Sequence, residues 1–273
     1  METDPDALLG LARRAAEAAG GLLLERLATA ATGVGSKSTP TDMVSDVDRA
    51  SEELVRSIVR AERPADAFLG EEGGEQQGDT AGSAVRWVVD PLDGTVNYLY
   101  RFPAFCVSVA AEIGGTVAVG VVHDPQRRET FWAVRGGGAF RRGPDDTGPE
   151  PLHVSDADQL AGALIGTGFA YAAEVRRRQG RVVAGLLPEV RDIRRAGSAA
   201  LDLCWVASGR LDGYYEEGTR HWDRAAGALI AAEAGAWVGN LQGGLPSEEM
   251  VVAAAPGIAG ALVRLIAGLG SGS

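Results

Sequence analysis

Three short acidic segments carry the groups best able to do chemistry: Gly70-Glu71-Glu72-Gly73, Asp90-Pro91-Leu92-Asp93-Gly94-Thr95-Val96-Asn97 and His221-Trp222-Asp223-Arg224. In the second, two carboxylates stand three residues apart in a turn that Pro91 stiffens and Gly94 leaves open to close backbone approach. Such a turn can aim Asp90, Asp93 and the Leu92 carbonyl at one hard cation, the oxygen-ligand chemistry that magnesium prefers. The N–H groups of Gly94 and Thr95 can then receive a phosphate where a helix begins. Each segment also has a plainer account. An Asp-Gly pair commonly makes a surface turn, an acidic pair among glycines is often a solvated loop, and Asp223 before an alanine-rich run can simply cap a helix. Counting removes other readings. An EF-hand loop begun at Asp90 puts Arg101 where the bidentate Glu must stand. Gly35-Ser36-Lys37-Ser38 lacks the glycine that precedes the lysine of a P-loop, and Gly166-Thr167-Gly168 lacks the third glycine of a dinucleotide fingerprint.

These groups must be positioned by regular elements. Leu8, Leu11, Ala12, Ala15, Ala19, Leu22 and Leu23 recur at helical spacing and predict a first helix from about Asp4 to Leu27. A Gly-, Ser-, Thr- and Pro-rich loop from Thr32 to Thr41 follows, then a helix with Asp48 near its start. Ala67-Phe68-Leu69 and Arg86-Trp87-Val88-Val89 read as buried strands whose C-terminal ends present Glu71 and Asp90 side by side. Cys106 to Ile113 and Thr116 to His123, joined by Gly114-Gly115, read as a hairpin, extended by Thr130 to Val134 and Gly138 to Arg142. The turn-rich Gly143 to Glu150 is the expected boundary between an N-terminal α+β subdomain, 1–145, and a C-terminal α/β subdomain, 146–273, within one domain of 1–273. Beyond it the pattern alternates: strands at Ala163 to Ile165, Val190 to Arg194, Leu211 to Tyr215 and Met250 to Ala254. The helices expected between and after them run from Tyr171 to Leu187, Ser198 to Ser208, Asp223 to Ala234 and from about Ile258 onward.

Composition narrows the function classes. With 273 residues, 45% hydrophobic and 23% charged, the chain can bury a sizeable core. An acidic N-terminus and the lack of a long apolar run predict no signal peptide and no membrane span, hence a cytoplasmic protein. The net charge of -11 opposes nonspecific binding to nucleic acid or to anionic membranes. An acidic protein can still bind phosphate where cations or backbone N–H groups invert the local field. Cys106 and Cys204 are far apart among apolar neighbours and read as buried thiols.

Taken together, Lys37-Ser38-Thr39-Pro40-Thr41-Asp42 with Asp48, Gly70-Glu71-Glu72, Trp87 through Asn97, Arg101-Phe102-Pro103, Arg195 through Leu201, Tyr214-Tyr215-Glu216 and Trp222-Asp223 resemble the inositol monophosphatase family over nearly the whole chain. The resemblance implies an α/β fold of alternating helix and sheet layers, an αβαβα sandwich. It implies two to three magnesium ions held by Glu71, Asp90, the Leu92 carbonyl, Asp93 and Asp223. It further implies hydrolysis of myo-inositol monophosphate by direct attack of a metal-activated water, with Thr95, Asp48 and Glu71 behind that water and no covalent phosphoenzyme. Substrate contacts fall to Asp93, Gly94, Thr95, Gly197, Ser198, Ala199, Glu216 and Asp223, with Glu216 reading vicinal hydroxyls and Thr167 at the pocket rim. A homodimer and lithium sensitivity are expected on the same ground. Histidinol phosphate, fructose 1,6-bisphosphate and 3'-phosphoadenosine 5'-phosphate are rival substrates, for whose second phosphate Arg194, Arg195 and Arg220 are the candidate cations. A noncatalytic regulatory binding partner is the alternative of another class. Val96, Tyr98 and Tyr100 depart from the family pattern and bear on substrate fit.

Overall fold

The computed structural model describes residues 3–27, 34–36, 43–78, 84–145 and 147–270, with 34–36 and 43–45 described by their backbone alone. The Lys37 to Asp42 segment therefore lies outside the described residues. Helix α1 (Pro5–Arg26) starts where Asp4 accepts from the Asp6 N–H at 3.1 Å, and it buries Leu8, Leu11, Ala12, Ala15, Ala19 and Leu23, the stripe set by its periodicity. Strand β1 (Val34–Ser36), within the expected loop, pairs antiparallel with β2 (Met43–Ser45) just beyond it, which polar composition alone did not signal. Helix α2 (Asp46–Glu62) follows, with Asp48 in its first turn.

The first large sheet comprises β3 (Ala67–Gly70), β4 (Gly74–Gln76), β5 (Val85–Asp93), β6 (Cys106–Ile113), β7 (Thr116–Asp124), β8 (Glu129–Val134), β9 (Ala139–Arg142) and β10 (Glu150–Pro151), in the order β10-β9-β8-β7-β6-β5-β3-β4. It reaches past the 145/146 division expected from sequence, because β10 adds to β9. Alternation along its central strands sends Val89, Val109 and Val121 to one face, against α1 and α2, and Val88, Ala110 and Val122 to the other. A short helix, α3 (Thr95–Leu99), leaves the end of β5.

The second sheet, order β12-β11-β13-β15-β14, is built from β11 (Leu164–Thr167), β12 (Asp192–Arg194), β13 (Gly213–Glu216), β14 (Trp237–Gly239) and β15 (Val251–Ala254). Helices α4 (Ala173–Leu186) and α7 (Pro256–Gly270) cover its outer face, while α5 (Ala199–Ala207) and α6 (His221–Glu233) lie between the two sheets. The layers thus run α1/α2, first sheet, α5/α6, second sheet, α4/α7. This is the αβαβα sandwich. The middle helix layer sits tight on the first sheet: a Cβ on Gly120 of β7 would meet the Ala226 carbonyl of α6 at 2.8 Å. Strands β4 and β14 escaped sequence reading because Gly-Glu-Gln and Trp-Val-Gly are too short to show a period. Helix α6 begins two residues before Asp223, which therefore occupies its third position. Cys106 and Cys204 are buried free thiols, and among the described residues no helix is long and apolar enough to cross a membrane.

Candidate active site

Asp90 and Asp93 are three residues apart, so in a regular strand they would point to opposite faces. The register of β5 prevents this. Asp90 lies opposite Ser108 and Asp93 opposite Cys106, so three steps on β5 match two on β6. The extra residue is a β-bulge, and it returns both carboxylates to one face of the sheet. Beyond Asp93 the chain turns at Gly94, whose φ of 98° suits glycine, and a Cβ there would meet the Ala104 carbonyl at 2.8 Å. Thr95 then opens α3, its hydroxyl donating to the Leu92 carbonyl at 3.1 Å. Asn97 ties this turn to the opposite wall, donating to the carbonyls of Ala104 at 2.6 Å and Ala196 at 2.8 Å.

Glu71 arrives from the neighbouring strand. Strand β3 runs parallel to β5, with Gly70 beside Val89, and the Glu71 N–H donates to the Val89 carbonyl at 3.2 Å. Its loop is held from behind by Glu52 of α2, whose carboxylate accepts from the N–H groups of Glu72 at 2.7 Å and Gly73 at 2.9 Å and pairs with Arg56. Gly70 leaves room for that carboxylate, since a Cβ there would lie 2.3 Å from it. Sequence reading missed Glu52; the available signal was a glutamate on the buried stripe of α2, where an apolar residue is expected.

Asp93 is held from the middle helix layer. Its Oδ2 accepts from the Ser198 hydroxyl and from the Ala200 N–H, each at 2.7 Å, at the N-terminus of α5. Asp223 accepts from the Arg220 N–H at 2.6 Å, which orients it as the third residue of α6. Together Glu71, Asp90, Leu92, Asp93, Gly94, Thr95, Val96, Gly197, Ala199, Glu216 and Asp223 line one cleft of about 520 Å³ between the two sheets. Ser198 is buried behind that wall, its hydroxyl committed to Asp93. Asp48 is buried beside Tyr98, whose phenol it helps push up, and is not on the cleft wall. Thr167 is also off the wall: it is 1% exposed and lines a neighbouring cavity.

Burial dominates the electrostatics. It raises Asp90 well above the carboxylate range, with repulsion from Glu71, Asp93 and Asp223 adding to it. Asp223 rises for the same reasons, burial first and Asp93 next. Burial pushes Asp93 up to about 6 despite the Ser198 and Ala200 hydrogen bonds, and Glu216, which accepts from the Tyr214 hydroxyl at 2.7 Å, up to about 7. Such a set of crowded carboxylates and a carbonyl is a hard-oxygen donor set that fits magnesium in type and in charge. Among the described residues no three His, Cys, Asp or Glu groups already close around a single point.

Of the three candidate arginines, Arg194 pairs with Asp192 at 2.6 Å outside the cleft. Arg220 lines the cleft but pairs with Glu248 at 2.8 Å. Arg195 lines the cleft over Phe169 and lowers Glu216. His221 is bound to Glu112 at 2.7 Å, and Glu217 pairs with Arg178.

A layered α/β sandwich with clustered carboxylates in the cleft between its sheets defines the class: the chain belongs to the inositol monophosphatase family, whose pattern matches residues 4–269. It is 48% identical over 238 residues to the inositol-1-monophosphatase SuhB of Mycobacterium tuberculosis, an alignment covering 85% of this chain and 81% of that protein. It is 41% identical over 238 residues to the Nus factor SuhB of Escherichia coli, covering 87% and 86% of the two chains. The solved structure of Mycobacterium tuberculosis SuhB superimposes with a TM-score of 0.83 at 41% identity over 98% of each chain.

Proposed function

We propose that the cleft hydrolyses the phosphate monoester of a small polyol, with myo-inositol monophosphate as the first candidate and magnesium as the cofactor. The observation that carries this reading is that Glu71, Asp90, Asp93 and Asp223 line the same cleft as Glu216. Glu71, Asp90, the Leu92 carbonyl, Asp93 and Asp223 would hold the cation. Bound magnesium would supply positive charge against the phosphoryl oxygens and the departing alkoxide, and would acidify water. Thr95, fixed on the Leu92 carbonyl, orients the attacking water, and Glu71 accepts its proton. Gly94 and Thr95 present backbone to the phosphate. The Ala200 N–H at the start of α5 keeps Asp93 in place, while Gly197 and Ala199 line the cleft where substrate would lie. Asp48 would act only through the buried frame around Tyr98.

Glu216 favours a polyol, since a carboxylate can accept two vicinal hydroxyls. A bisphosphate would need a cation for its second phosphate, and Arg195 is the cleft-lining arginine whose guanidinium is not paired with Glu248 or Asp192. A second reading is favoured by the Nus factor name of the Escherichia coli relative: a regulatory partner role, which the same fold could serve with or without turnover. A panel of myo-inositol 1-phosphate, histidinol phosphate, fructose 1,6-bisphosphate and 3'-phosphoadenosine 5'-phosphate, with and without magnesium, tests the proposal. Magnesium-dependent phosphate release, highest on the inositol ester and inhibited by lithium, is expected. A folded protein silent on every ester would leave the regulatory reading standing. The family's dimer and a cytoplasmic location complete the proposal, and size-exclusion chromatography with light scattering tests the former.

A further inference from the structure

A second cavity, of about 380 Å³, lies on the far side of the β11–α4 turn from the catalytic cleft. Val182 of α4, Ile266 of α7, Leu241 and Met250 give it apolar walls, with Arg178, Glu217, Gln242 and Glu249 also on the lining. Two side chains on those walls are buried and carry polar atoms that make no hydrogen bond. Gln179, 8% exposed, accepts from the Ala170 N–H at 3.0 Å through Oε1, which fixes the amide and leaves Nε2 as an unused buried donor. Tyr215, 6% exposed, has an unsatisfied hydroxyl, which the Thr167 hydroxyl approaches without completing a hydrogen bond. Unmet buried polar groups are costly, and here two of them line a single cavity.

We propose that this cavity is a second small-molecule site, taking an uncharged ligand with an apolar body the size of a substituted six-membered ring and a hydrogen-bond-accepting oxygen. The interior groups Gln179, Tyr215 and Thr167 carry no charge, and the charged groups on the lining are the Arg178–Glu217 pair and Glu249. A phosphate ester therefore has no cation of its own here and belongs in the other cleft. Apolar walls supply affinity, while Nε2 of Gln179 and the Tyr215 hydroxyl select for the oxygen. Phe169 and Glu217 line both spaces, so an occupant here touches the wall of the catalytic cleft.

Cyclohexanone is a suitable probe, with toluene as its oxygen-free counterpart. In the full-length protein with magnesium, titration followed by the methyl resonances of Val182 and Ile266 should show saturable shifts with cyclohexanone and weaker binding of toluene. Saturating inorganic phosphate should not displace the probe. Gln179→Met, which keeps the bulk and removes the donor, should weaken cyclohexanone between about twofold and tenfold and leave toluene unchanged. Ala267→Phe, which fills the cavity mouth from an exposed helix position, should abolish both. Absence of saturable shifts, equal affinity for toluene, displacement by phosphate, or an unchanged affinity in Gln179→Met would each overturn the assignment.

Discussion

Asp93 and Ser198 join the first sheet of this fold to its middle helix layer at the cleft: the carboxylate at the end of β5 accepts from the hydroxyl that caps α5 at 2.7 Å, although 105 positions separate them. That one hydroxyl also accepts from the Leu201 N–H at 3.3 Å, so it starts the helix and holds the carboxylate together. Ser198→Ala should lower stability by about 1 kcal/mol through the lost cap. It should also cut kcat/KM roughly tenfold by freeing Asp93. Urea unfolding and steady-state kinetics separate the two effects, and a stability loss with unaltered kinetics would argue against the positioning role.

Asp93→Asn keeps the shape and removes the charge. Activity should fall on the order of 10²-fold or more, while Tm stays within about 4 °C of the parent. Phosphate-release assays beside circular dichroism melts check this. Retained turnover in a folded variant would remove Asp93 from the metal set.

The Glu52 clamp predicts an effect at a distance. Glu52→Ala frees the N–H groups of Glu72 and Gly73 and loosens the loop that carries Glu71. The magnesium concentration giving half-maximal activity should rise about tenfold, as for other residues that orient a metal ligand. Activity titrated against magnesium reads the shift directly, and Glu52→Gln, which retains one acceptor oxygen, should recover part of it.

Gly168 has Glu216 packed over its Cα, and a Cβ there would lie 1.8 Å from the carboxylate. In Gly168→Ala the flexible carboxylate must swing away, so a polyol substrate would lose the proposed contact to its hydroxyls while Glu71, Asp90, Asp93 and Asp223 stay in place. We expect KM for the polyol phosphate to rise several-fold with kcat changing less and Tm nearly constant. A pure kcat loss would point instead to a catalytic role for this wall.

Stability without magnesium should depend on pH through the buried carboxyls. Burial holds Asp93 up to about 6 and Glu216 up to about 7, from ordinary values of 3.8 and 4.5. Between the ordinary and the raised values the native state binds more protons than the unfolded chain, so stability falls as pH rises through that window. Glu216→Gln should therefore be more stable than the parent at pH 8, by roughly 2 kcal/mol, and indistinguishable from it at pH 4. His123, held down to about 4 by burial, acts in the opposite sense: its contribution is complete above its ordinary 6.5 and is lost as pH falls towards 4. Comparing parent and variant at matched pH cancels that contribution. Denaturation in chelator across this range is the measurement, and magnesium should restore the parent's stability at pH 8.

Much of the fold was legible because its signals are local. The stripe of α1, the hairpin of β6 and β7 and the abrupt ends of β3 and β5 are periodic or punctuated within a dozen residues. The segment from Asp90 to Asn97 offered a hard-oxygen reading beside that of a plain surface turn, and the structure places Asp90, Leu92, Asp93, Gly94, Thr95 and Val96 on one cleft. Arrangement was less legible. Asp48 belongs to the motifs and Thr167 was expected at the pocket rim, yet neither lines the cleft, since sequence neighbours do not give the direction of a side chain. Glu52 went unread because its meaning depends on two N–H groups some twenty residues away.

The amino-acid sequence by itself determined the family and most of the longer elements, because residue types and local periods carry those signals without a fold. Only the tertiary structure decided that a one-residue bulge in β5 faces Asp90 and Asp93 the same way, that α5 supplies the groups that hold Asp93, and that Phe169 and Glu217 line both the cleft and a second cavity. These are matters of register and packing between distant segments, where a shift of one residue reverses the direction of a side chain.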